Sequence, residues 1–176
     1  MNGPTLISPA WRRRYADQRL EAFSQRCHQR GLALTPQRLA VMRALLAASD
    51  HPRAESIFAA LREQFPTISL ATVHRTLETL CAIGEARKVT ALHDSARYDG
   101  NTQPHHHLVC VRCRRVSDIE MAEFDHLLHG RERLGEYALL GATVEIQALC
   151  ASCQMRTRAA NPRRTKRAKA PNPAED

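Results

Sequence analysis

Two cysteine pairs, Cys110–Val111–Arg112–Cys113 and Cys150–Ala151–Ser152–Cys153, constrain this chain more than any other feature. A C-x2-C pair folds into a tight knuckle that points two sulfurs at one ion. Two such pairs separated by a domain-sized insert read as a tetrahedral thiolate Zn2+ site. Four sulfurs leave no open position for substrate, so the zinc is expected to be structural, contributing on the order of 10 kcal/mol to folding. A single pair would read equally as a redox motif; the second pair turns the balance toward zinc. The chain starts without an apolar stretch followed by small cleavage residues, so a disulfide framework is disfavoured. Cys27 and Cys81 lie on helix-like segments and are expected in core packing.

The 176 residues leave room for one ordinary domain or two small ones. No apolar run approaches the roughly 20 residues of a membrane span, and a cytoplasmic location is the expectation. Charge is unevenly spread. Residues 1–100 hold 14 basic and 9 acidic groups, residues 101–155 hold 5 and 7, and residues 156–176 hold 7 and 2. A basic front half suggests a polyanionic partner, although a solvated surface would read the same by charge alone.

Residues 1–11 carry Pro4 and Pro9 and are expected to be disordered. From Arg12 to Arg30, Tyr15, Leu20, Phe23 and Cys27 follow helical spacing. Thr35-Pro36 caps a second helix, with Leu39, Met42, Leu45 and Leu46 on one face. A third helix is predicted over 54–65, ended by Pro66. Ser69 caps a fourth, with Leu70, Val73, Leu77 and Leu80 inward. Two short strands around 85–89 and 96–98 then form a hairpin. Short helices followed by a hairpin make a winged helix-turn-helix, expected over residues 12–98. Its fourth helix would enter the major groove of double-stranded DNA through Ser69, Thr72, His74 and Arg75. The same spacing fits a plain four-helix domain with no ligand.

The second half changes character. Strands are predicted at 107–111, 116–119 and 142–149, and a helix over 124–134 with Phe124, Leu127, Leu128 and Leu134 buried. The fold class is therefore α+β, with a small α/β unit over 99–155 that could hardly stand as a monomer. The arginine-rich chain over 156–176 reads as a basic disordered tail. On a strand His105 and His107 point one way and His106 the other, with Asp99 upstream and Asp118 beyond the knuckle. A histidine run can be a solvated turn. Two same-face imidazoles beside carboxylates instead suit Fe2+, Mn2+ or Zn2+. If His51 joined this set from the front half, an ion would fix the orientation of the two halves.

At this point a resemblance is visible. Leu34-Thr35-Pro36-Gln37-Arg38, His51-Pro52-Arg53-Ala54-Glu55-Ser56-Ile57 and Pro66 through Leu77 are similar to the ferric uptake regulator family. Arg97-Tyr98-Asp99, His105-His106-His107-Leu108-Val109-Cys110 and both cysteine pairs extend the match over roughly residues 20–154. The resemblance implies a dimeric, metal-dependent repressor on a palindromic operator. It also implies structural zinc at Cys110, Cys113, Cys150 and Cys153.

The branch of the family follows from individual positions. The peroxide-sensing branch holds its regulatory ion with three histidines and two aspartates, and His51, Asp99, His105, His107 and Asp118 stand at the matching places. Iron-sensing members often have glutamate where Asp118 stands. Their further site uses positions occupied here by His106 and Ala142. The resemblance thus implies an Fe2+ site at which peroxide oxidises His51 or His105 and DNA is released, with Mn2+ binding unreactively. The alternative is an iron or zinc uptake regulator that represses when its one regulatory site is filled. Two positions depart from the pattern: His74 replaces the usual tyrosine of the recognition helix, and Arg114 a glycine after the knuckle. A zinc hydrolase is disfavoured, since no HExxH appears, and a metal buffer would not explain the basic winged-helix half. The chain is therefore expected to be no enzyme.

Overall fold

The computed structural model describes residues 5–89, 96–125 and 130–160. After the edge strand β1 (Thr5–Leu6), four helices follow: α1 (Pro9–Gln29), α2 (Pro36–Ala47), α3 (Ala54–Leu61) and α4 (Leu70–Ala82). Three of them start by the same device. A hydroxyl just before the helix accepts from a backbone N–H two or three residues on: Ser8 from Trp11, Thr35 from Arg38 and Ser69 from Thr72. Proline occupies the first turn of α1 and α2, where its missing N–H costs nothing. The apolar stripes meet in one core of Phe23, Cys27, Val41, Met42, Leu45, Ile57, Val73, Leu77, Leu80 and Tyr98. Cys27 is buried there and Cys81 packs against it, as expected of two thiols on helices.

The hairpin follows as β2 (Arg87–Val89) and β3 (Arg97–Asp99), antiparallel with Lys88 opposite Tyr98. A buried ion cluster ties it to α1. The Glu85 carboxylate, 2% exposed, accepts from Arg19 at 2.6 Å and from the Arg26 guanidinium. Buried charges persist when paired in this way.

The rear half is built on a four-stranded sheet in the order β1 (Thr5–Leu6), β5 (Val116–Glu120), β4 (His106–Cys110), β8 (Glu145–Ala148). Its first two pairings are antiparallel and β4–β8 is parallel. A short helix α5 (Ala122–Asp125), a hairpin β6 (Arg133–Leu134)–β7 (Tyr137–Ala138) and α6 (Ala151–Ala160) complete it. Among the described residues, its buried apolar cluster is Val109 with Val116, and Ile119 is buried nearby in β5. Leu134, Tyr137, Leu140 and Leu149 stay exposed.

Several expectations need correction. Residues 5–11 fall in elements: Thr5–Leu6 adds an edge strand to β5, and α1, capped by Ser8, begins at Pro9, three residues before Arg12. The third helix stops at Leu61; residues 62–64 continue as a turn, with the Phe65 N–H bonded to the Leu61 carbonyl at 2.9 Å, and Pro66 then stops any continuation. Of the helix expected over 124–134, Phe124 and Asp125 lie in α5 and residues 126–129 fall outside the described residues, while Gly130, at φ +71, takes a left-handed backbone that no helix continues through. Leu134 then lies in β6 and is 65% exposed, while Leu127 and Leu128 fall outside the described residues. The tail begins as helix, since Ala, Gln, Met and Arg over 151–160 are good helix formers. Residues 161–176 lie outside the described residues.

Candidate metal centres and nucleic-acid interface

Sheet geometry assembles the first cluster. Alternation puts His105 and His107 on one face, and the antiparallel register sets His107 directly opposite Asp118. His106 turns to the other face, where its ring meets Phe124 edge-on and its Nδ1 accepts from the Val144 N–H. Asp99 arrives from the end of β3 in the hairpin. His51 arrives from the loop between α2 and α3. Its backbone is held at φ +52, an uncommon conformation for a residue with a side chain. Arg97 donates to the His51 carbonyl at 3.1 Å, and the Tyr98 N–H to the Pro52 carbonyl at 3.0 Å. These bonds clamp the strained loop onto β3.

The ligand-type atoms converge. One from each of His51, Asp99, His105 and His107 lies within 4.8 Å of the others, and all four residues are buried. His51 Nε2 is 2.9 Å from Asp118 Oδ1, and His105 Nε2 is 3.1 Å from Asp99 Oδ2. His105 and His107 bring their Nε2 atoms to 3.0 Å of each other. The outer atoms are anchored separately: His105 Nδ1 on the Gln103 carbonyl at 2.8 Å, and Asp99 Oδ1 by the Asn101 N–H at 2.7 Å. Such anchoring orients the remaining lone pairs inward, as outer partners of metal ligands do.

Yet Asp99 Oδ2, both Asp118 carboxylate oxygens and His51 Nε2 have no well-formed hydrogen bond, although all are buried. Buried polar groups are nearly always satisfied, so this convergence of orphaned atoms fits a cation that binds them together. Electrostatics agree. Burial works against charge on His51, but the Asp118 and Asp99 carboxylates beside it push its pKa up to about 9. Burial likewise opposes the Asp99 charge, yet His105, His107 and His51 hold that carboxyl well below its usual range. Two buried anions facing three imidazoles form a pocket that wants positive charge. The mixed nitrogen and oxygen donors suit Fe2+, Mn2+ or Zn2+. All five residues singled out in the sequence are therefore brought together.

The second cluster is the four cysteines. Cys110 ends β4, Cys113 lies in the following turn, and Cys150 and Cys153 flank the start of α6. Their sulfurs fall within 4.8 Å of one another, with Cys113 Sγ 3.7 Å from Cys150 Sγ. None forms a disulfide. Backbone N–H groups of Cys113 and Cys150 lower the Cys110 thiol to about 6, whereas burial and three neighbouring sulfurs push Cys153 up to about 12. Four thiolates cannot share this space without a cation, and the sulfur set suits zinc. Arg114, standing in the knuckle at φ +60, adopts the left-handed conformation that glycine takes without strain.

On the front half, α4 buries Val73, Leu77 and Leu80 and turns His74 and Arg75 outward beside the Ser69 cap. Thr72 is half-buried and shares a hydrogen bond with Ser69. His74 reaches toward Glu55 of α3 at 3.8 Å. Thr72 and Arg75 also line a shallow groove of about 160 Å³ with Thr35, Gln37 and Arg38 of the α2 N-terminus. Sequence reasoning missed those α2 residues as candidates for the same face, and missed Arg12, whose guanidinium meets Asp118 at 3.0 Å. Only the fold brings either set to its neighbours.

Comparison with known proteins agrees with this arrangement. The sequence profile of the ferric uptake regulator family matches residues 29–147. The peroxide-responsive repressor PerR of Staphylococcus epidermidis is 31% identical over 138 residues, 78% of this chain and 92% of that protein. The Helicobacter pylori ferric uptake regulator Fur, whose structure reveals three functional metal binding sites, shares the fold. Its TM-score is 0.66 at 20% identity, covering 79% of this chain and 93% of that one. A zinc uptake regulator complexed with zinc and DNA gives a TM-score of 0.57 at 28% identity, covering 81% of this chain and 97% of that one. The chain carrying these two clusters and this helix-turn-helix belongs to the ferric uptake regulator family.

Proposed function

We propose that this protein is a homodimeric, metal-dependent transcriptional repressor that senses peroxide and then releases a palindromic operator. The observation that carries the reading is the placement of His51. It belongs to the helical half, is 3% exposed, and lies 2.9 Å from Asp118 of the sheet. An ion held by His51, Asp99, His105, His107 and Asp118 ties the two halves into one orientation. Ser69, Thr72, His74 and Arg75 are then presented to the major groove in fixed register. Cys110, Cys113, Cys150 and Cys153 hold structural zinc. Exposed Leu134, Tyr137, Leu140 and Leu149 beside a meagre core are the surface that a second copy covers. A two-fold dimer reads two symmetric half-sites.

Fe2+ supplies reactivity toward hydrogen peroxide that oxidises an adjacent imidazole, whereas Mn2+ fills the same donors without it. His51 and His105 are the exposed risk: once either ring is oxidised it is a poorer donor, and the His51 tether between the halves is lost. The reaction consumes the protein's own side chain, so this is a sensor and not an enzyme. Its DNA partner places it in the cytoplasm; no helix among the described residues is long and apolar enough to cross a membrane.

One observation favours a second reading, an iron or zinc uptake regulator. His51, Asp99, His105 and His107 alone form a compact four-donor set, the number zinc prefers. Mobility shifts with Fe2+ or Mn2+, before and after micromolar peroxide, separate the two. The peroxide reading expects release of DNA with Fe2+ only, and one added oxygen on a peptide containing His51 or His105. Release without added oxygen, or no release, overturns it in favour of the uptake regulator.

A further inference from the structure

The N-terminal arm, residues 5–12, precedes the span matched by the family profile, and it grips one residue of the regulatory cluster from two sides. β1 pairs with β5 so that Leu6 faces Ile119, and the Ile7 N–H donates to the Asp118 carbonyl at 3.3 Å. This pairing sets the first turn of α1 over the Asp118 side chain. Arg12 then meets Asp118 Oδ2 at 3.0 Å, and the Asp118 side chain is fully buried. The other oxygen, Oδ1, faces His51 at 2.9 Å and His105 at 3.6 Å. The carboxylate is thus divided, one oxygen toward the cluster and one toward the arm.

We propose that Arg12 is a metal-selecting positioning residue: its guanidinium, ion-paired to Oδ2 at 3.0 Å, makes Asp118 a single-oxygen donor of reduced charge. The inference rests on the reading of the five-residue ligand set given above. Hard ions such as Mn2+ favour carboxylate-rich, higher coordination, whereas Zn2+ and Fe2+ bind well to imidazole with few oxygens. Withholding one oxygen and placing a guanidinium beside the site therefore tilts a shared donor set away from Mn2+. Arg12 touches no ion itself; it acts through Asp118, as outer partners of metal ligands act through the ligand. A second effect has the same origin. The arm joins α1 of the DNA-binding half to β5, so it spans the two halves that the ion also spans.

The test uses the full-length protein with one zinc per chain already in the sulfur site. Mn2+ and Zn2+ are titrated calorimetrically into wild type, Arg12→Ala, Arg12→Lys and Asp99→Ala, and the Co2+ visible spectrum is recorded for each. Arg12→Ala is expected to tighten Mn2+ more than Zn2+, lowering the ratio of their dissociation constants about tenfold, within the range outer partners command. Its Co2+ bands are expected to weaken toward those of a higher coordination number. Arg12→Lys restores a charged donor and with it the wild-type ratio and spectrum. If the ratio and spectrum of Arg12→Ala match wild type while Asp99→Ala loses Mn2+, Arg12 has no selecting role and the ligand set stands. If Asp99→Ala binds Mn2+ like wild type, the ligand set is wrong and the inference falls with it.

Discussion

His51 combines two unfavourable features, a left-handed backbone and a titratable ring buried between carboxylates. A strained, buried polar residue persists where surroundings over-determine it, and here the Arg97 and Tyr98 bonds to its loop do so. Because those bonds are made by backbone carbonyls, His51→Ala is expected to fold and keep its zinc. It should lose Fe2+- or Mn2+-dependent DNA binding in a mobility shift; ion-dependent binding that survives would remove His51 from the ligand set. Arg114 tests strain without chemistry. The left-handed backbone costs a side chain roughly 1–2 kcal/mol, and glycine's extra unfolded entropy returns about 0.5–1. Arg114→Gly is therefore expected to stabilise the zinc-loaded protein by up to about 1 kcal/mol in denaturant melts. A lower midpoint would show that the arginine side chain contributes more than its backbone costs.

Elements decide how a change at the cluster reaches DNA. Asp99 is the last residue of β3, and its neighbour Tyr98 is buried and donates its hydroxyl to Glu78 of α4 at 2.8 Å. One strand therefore joins a proposed ligand position to the proposed recognition helix. Tyr98→Phe removes that bond, worth about 1 kcal/mol. It is expected to weaken DNA binding by the ion-loaded form several-fold while ion affinity, measured by calorimetry, stays put. On α4 itself, loss of Arg75 should cost about 1–3 kcal/mol of operator binding if it reads a base. An unchanged sequence preference with a shallower salt dependence would make it a phosphate contact. Much at this scale was legible in the sequence. Hydroxyl caps, Pro36 and the i, i+3, i+4 stripes located α2 and α4, and period-two alternation placed His105 and His107 together. What escaped lacked a local signal. β1 is two residues long and exists because β5 offers an open edge. Arg12 reaches Asp118 only through that pairing. Leu134 carried helical spacing from Phe124, but it lies in β6, beyond the left-handed backbone of Gly130.

At the scale of the whole molecule the two halves differ in how they are held. The helical half has a continuous apolar core; the sheet half, among the described residues, clusters only Val109 and Val116, with Ile119 buried beside them, little for independent stability in so small a unit. In the proposed dimer, zinc and a second copy make up the difference, and the two are linked. The four cysteines join the end of β4, its following turn and the start of α6, so the ion cross-links β4 to the segment that follows β8. Without it, among the described residues, β8 is held to the sheet mainly by the backbone ladder of one parallel pairing and the Val144 N–H bond to His106. The exposed Leu134, Tyr137, Leu140 and Leu149 lie on the chain between those two cysteine pairs, where their arrangement depends on both ends being fixed. Cys110→Ser or Cys150→Ser is therefore expected to release zinc and break the dimer together. Sedimentation with metal analysis on the same sample reads both. A zinc-free variant that still sediments as a dimer would show that apolar burial alone holds the two copies, and that the sulfur site serves the fold of each chain separately.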